Sequence, residues 1–176
     1  MTQKTKHNSG NILIFVILGI IALLIGLKFF GPKLGLKLFK ENDNSIEYSH
    51  VEGFPKVIKV NEDVNKTRLV ITDEQKLKEA LAAIDKNGEI KFPKINFERK
   101  MALLVTSKTR QGGGYETRIK KIVQDKDDLV VEIRDTEPGD TCINTEELNL
   151  PVDLVLLDKT DLTIEFQVRT YTKECN

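Results

Sequence analysis

The sequence predicts an α+β fold: an antiparallel β-sheet or sandwich-like domain with one main helix, preceded by an N-terminal transmembrane helix. Three observations predict it. Ile12 to Leu27 is an unbroken run of sixteen apolar residues. Only one later segment carries an apolar stripe at helical spacing. The remaining apolar residues fall in alternating or short continuous runs broken by polar turns, the signature of strands.

The N-terminal segments come first. Residues 1–11 form a basic tail holding Lys4 and Lys6. At about 1.5 Å per residue the run from Ile12 spans roughly 24 Å; Phe29 and Phe30 extend it toward bilayer thickness once Lys28 snorkels to the interface. Residues 12–30 are therefore read as a transmembrane signal anchor embedded in lipid. No small-x-small cleavage motif follows the run and no cysteine lies near it. Residues 31–49 read as a basic juxtamembrane segment and a polar linker. Lys28, Lys33, Lys37 and Lys40 are suited to anionic headgroups, and Glu41 to Ser49 is rich in Asn, Asp and Ser. Residues 50–176 are one domain's worth of chain.

Charge divides at the same place. Residues 1–40 hold six Lys and no acid, which leaves 21 Lys and Arg against 27 Asp and Glu in the remainder. An acidic domain is a poor polyanion binder, so nucleic acid is not expected as a partner. Counting Lys on the two flanks of the helix favours a cytoplasmic C-terminal domain, whereas a basic amphipathic stretch lies equally well on either leaflet. Charge alone leaves the orientation open.

Within the domain, Thr72 is the expected N-cap of a helix, with Gln75 as its capping-box partner. Leu77, Ala80, Leu81 and Ile84 form the apolar stripe, and Asn87-Gly88 supplies the stop. Met101 to Val105 is continuously apolar and reads as a central strand. Arg68 to Ile71 and Val152 to Leu157 are further strands. Tyr115 to Arg134 reads as a hairpin turning at Asp125 to Asp128, with Leu129, Val131 and Ile133 on its inner face. Leu162, Ile164, Phe166 and Val168 alternate with polar residues, as in a half-buried antiparallel strand.

Chemistry is sparse. His7 precedes the membrane run, and His50 has no Ser or Cys motif around it, so no nucleophile–base pair emerges. Asp125, Asp127 and Asp128 lack the glycine and the terminal glutamate of a calcium loop. Asn65-Lys66-Thr67 matches a glycosylation sequon too common to carry weight. No cofactor or metal is expected. Cys142 has acidic neighbours, Glu137 and Asp140, which suppress a thiolate. Cys142 and Cys175 are the only cysteines. A disulfide between them is one reading and fraying of the chain end the other. Gln111-Gly112-Gly113-Gly114-Tyr115 reads either as a wide turn or as a recognition loop anchored by Tyr115.

Read together, the apolar strand Met101–Val105, the loop Gly113-Gly114-Tyr115, the loop Glu137-Pro138-Gly139 with Cys142, and Pro151 before an apolar strand resemble the C-terminal domain of the PrcB family. That family is named for an accessory subunit of a bacterial surface protease complex, and the resemblance covers roughly Ile95 to Val168. Gly112 stands where the family usually has threonine. The resemblance implies a non-catalytic, envelope-exposed domain that assists or stabilises a protease, and it favours an outward-facing C-terminal domain. The expected function is thus membrane-anchored protein binding, with Gly112, Gly113, Gly114, Tyr115, Pro138 and Gly139 as the binding residues. A loop-type protease inhibitor and a thiol enzyme using Cys142 are the alternatives.

Overall fold

The computed structural model describes residues 44–142 and 146–175. The basic tail, the apolar run 12–30 and the juxtamembrane lysines lie outside the described residues. Among the described residues no helix is long and apolar enough to cross a membrane. The compact unit runs from Asp43 to Asn176, so it begins before the boundary at residue 50 that composition suggested. The reason is backbone pairing: Ile46 N–H donates to the Ile122 carbonyl at 2.8 Å and Gln124 N–H to that of Asn44 at 3.0 Å. A polar composition does not reveal such pairing.

Among the described residues, nine strands and one helix follow in the order β1 (Tyr48–His50), β2 (Val57–Lys59), β3 (Arg68–Ile71), α1 (Glu74–Ile84), β4 (Lys100–Thr106), β5 (Arg110–Gln111), β6 (Glu116–Asp125), β7 (Asp128–Pro138), β8 (Leu148–Asp158) and β9 (Thr163–Lys173). The main sheet has the order β1-β8-β4-β3, with β2 and β5 added along the N-terminal part of β8, and every pairing in it is antiparallel. A second sheet has the order β6-β7-β9.

The architecture is three layers, and β4 explains why. Its run Met101–Val105 is buried on both faces. Ala102 and Leu104 join Leu154, Ile71 and the helix stripe Leu77, Ala80, Leu81 and Ile84 in one core. Met101, Leu103 and Val105 join Val155, Ile119, Val131 and Ile133 in the other. A strand between two cores has no polar face, so its sequence is continuous rather than alternating.

Two local expectations are corrected. The helix is capped by Asp73, not Thr72: the Asp73 carboxylate accepts from Lys76 N–H at 2.8 Å. The same three-residue reach that favoured Thr72 and Gln75 is made one residue later. The strand expected over Leu162 to Val168 starts at Thr163, as β9, and pairs parallel to β7, not antiparallel. Between them the chain crosses into the main sheet as β8, and a strand that returns from another layer is free to run either way. The expected hairpin is β6–β7, closed by Lys126-Asp127 with Lys126 at φ 57°.

Candidate functional site

The glycine loop and the Pro-Gly loop meet at one end of the β6–β7 hairpin. Register puts Glu116 opposite Thr136, and two residues further out Gly114 lies against Pro138. Gly114 has φ 82°, and a Cβ there would stand 3.0 Å from the Pro138 Cβ. Backbone freedom and close approach are thus both required at this glycine. Tyr115 is half-buried. The Arg110 guanidinium stacks over its ring at 5.0 Å, and Glu137 holds that guanidinium at 2.6 Å. A cation held over an aromatic face by a carboxylate is a fixed arrangement, so Tyr115 is presented rather than loose.

The predicted binding residues take different parts. Gly113 is open, with nothing near the place a side chain would occupy. Gly112 is buried: its N–H donates to the Glu147 carbonyl at 2.9 Å, and its carbonyl accepts from Asn149 Nδ2 at 2.9 Å. It anchors the loop to β8. Gly139 N–H donates to the Lys173 carbonyl at 2.9 Å, tying the Pro-Gly loop to β9. Cys142 and Cys175 form a disulfide, so the Cys142 sulfur is not a free thiol while the pair is oxidised. Beside it, the Thr141 hydroxyl donates to Glu174 at 2.9 Å.

Two polar clusters sit between the sheets, and sequence reasoning missed both. Asp153, on β8, is 1 % exposed. One of its oxygens accepts from Arg118 at 2.8 Å and lies 2.9 Å from His50 Nδ1; the other accepts from Ile119 N–H at 2.8 Å. The bulge in β6 between Ile119 and Lys121 lies at this point. Tyr48 stacks edge-on against His50 and donates to the Ile119 carbonyl at 3.2 Å. Burial raises the Tyr48 hydroxyl above its ordinary pKa, reinforced by the Asp153 charge. The signal available in the sequence was an acid inside the apolar run Val152–Leu157. In the second cluster Asp135 pairs with Thr117 and, at 3.2 Å, with Lys66. Burial lowers the neighbouring Arg68 guanidinium, opposed by the Asp135 charge.

These clusters cross-link the layers. No group of three or more His, Cys, Asp or Glu among the described residues is placed to hold a metal ion. What the surface offers is two backbone-rich loops set edge to edge beside a fixed tyrosine. No curated protein and no solved structure matches this chain. Residues 101–158, from the first core residue of β4 to the end of β8 and spanning both loops, match the family model described as PrcB C-terminal.

Proposed function

We propose that this chain is a membrane-held, extracytoplasmic protein-binding subunit that assists or stabilises a protease complex. The family description supports the association with a protease complex. The apolar run 12–30 supports the membrane anchor, with Lys28, Lys33, Lys37 and Lys40 on lipid headgroups. The disulfide between Cys142 and Cys175 supports an oxidising compartment for the domain.

One observation carries the binding reading: Gly114 packs against Pro138, with Tyr115 fixed beside them by Arg110 and Glu137. Loops distant in sequence form one edge, with Gly113 open at its surface and the tyrosine offering contact area at low entropic cost. This edge acts by contact and needs no catalytic residue.

Tyr115→Ala tests it. Capture of partner protein from the chain's own membrane fraction should fall, while the unfolding midpoint of the domain stays within the small loss expected for one cation–π contact, about 0.5–1 kcal/mol. Undiminished capture by a stable variant, or a collapse of the midpoint, would leave Tyr115 a packing residue and the glycines an ordinary turn.

A further inference from the structure

β9 is an eleven-residue strand that, among the described residues, pairs on one side only, with β7. Edge strands of that length are usually blunted by proline, a bulge or a charge pointing toward the core. β9 has none of these three; its charges, Glu165, Arg169 and Lys173, lie on the outer face. It contains no proline, its register with β7 runs unbroken from Thr163 to Lys173, and the residues on its inner face are Ile164, Phe166, Val168, Thr170 and Thr172. Val168 is 39 % exposed.

We infer that β9 pairs antiparallel with β9 of a second copy of this chain, about a two-fold axis at Gln167, so that two three-stranded sheets become one. The register follows from three constraints. The Lys173 carbonyl accepts from Gly139 on the β7 side, so by strand alternation the even-numbered residues turn their N–H and C=O groups to the open edge. Only registers that set even residues opposite even ones use those groups and keep inner faces together. Among these, pairing about Gln167 sets Glu165 directly opposite Arg169, and symmetry repeats the pair. On the inner face it sets Phe166 opposite Val168, also twice. Moving the axis to Val168 would set Glu165 against Tyr171, and moving it to Phe166 would set Glu165 against Gln167, so both lose the ion pairs; moving it to Arg169 would set Glu165 against Lys173 but Arg169 against its own copy, a like-charge contact. Among the described residues neither Glu165 nor Arg169 has an ion-pair partner within its own chain. Opposite charges and aromatic–aliphatic pairs facing across strands are what stabilise such a junction.

The full chain in mild detergent provides the test. Gln167→Cys places two thiols face to face at the axis and should give disulfide-linked dimers under mild oxidation, whereas Glu165→Cys, facing Arg169, should give few. Against the Gln167→Cys background, Glu165→Arg alone or Arg169→Glu alone should reduce the cross-linked fraction about tenfold by creating two like-charge contacts, and the double swap should restore it. All of these positions are exposed, so folding is not at stake. Association through the membrane segment alone would cross-link Glu165→Cys as readily as Gln167→Cys and ignore the charge swap, which would overturn the inference. So would a monomeric chain, or one whose β9 is occupied by a different protein.

Discussion

Asp153 holds the layers together at a single residue. It reaches from the main sheet to the backbone of β6 and neutralises Arg118, itself only 17 % exposed. Removing one partner of a buried pair leaves the other charge without compensation. Asp153→Ala is therefore expected to lower stability by about 3–5 kcal/mol. Asp153→Asn, which keeps an oxygen for the Ile119 N–H, should cost less. Denaturant midpoints at unchanged m-value would check both. The residue was hidden for a physical reason. An acid inside an apolar run is visible in sequence, but Arg118, Ile119 and His50 lie on other strands, and pairing across layers leaves no local pattern. The pairing of Arg110 with Glu137, which fixes Tyr115, escaped notice in the same way. The loops themselves were legible because glycine and proline declare backbone demands directly.

Among the elements, α1 illustrates local legibility best. Its stripe Leu77, Ala80, Leu81 and Ile84 is the buried face, because a 3.6-residue period leaves no other way to cover a sheet. Its cap was misplaced by one residue, since neighbouring Thr72 and Asp73 are both good caps. The Asp73 carboxyl is held below the ordinary carboxylate range, first by the hydrogen bond from Lys76 N–H. A depressed acid contributes stability that is present above its unfolded pKa and lost as pH falls through its folded one. The contribution of this cap should therefore be intact at neutral pH and vanish only in acid beneath the ordinary carboxylate range. Asp73→Asn should remove that part of the acid dependence while leaving a helix at neutral pH, as helical circular dichroism followed through an acid titration would register. β4 was legible as a continuous apolar run and the β6–β7 hairpin by the alternation of Leu129, Val131 and Ile133. β1, β2 and β5, two or three residues each, were not: so short a strand is defined by its neighbour rather than by its own sequence.

For the whole molecule, the Cys142–Cys175 disulfide closes a loop that contains β8 and β9, with a sequence separation of 33. Opening it should cost about 3–4 kcal/mol in the chain-entropy account. Hydrogen exchange should show the loss first at the Lys173 end of β9 and least in β4, which is buried between both cores. Protein taken from intact cells should resist thiol alkylation until reduced; free thiols there would count against the proposed extracytoplasmic location. Direction of pairing was the global feature least legible in sequence. The alternation in Ile164–Val168 reports a half-buried strand, but parallel and antiparallel partners leave the same alternation when one face is solvated.

That β8 lies in one sheet while β7 and β9 lie in the other also governs the order in which a nascent chain can fold. When everything through β8 has left the ribosome, the first sheet has its strands and its helix, yet the outer edge of β7 is still bare. The eleven residues of β9 are the last of the described strands to follow. Until then the outer edge of β7 can be occupied only by a strand from elsewhere, such as one from a chaperone or another nascent copy.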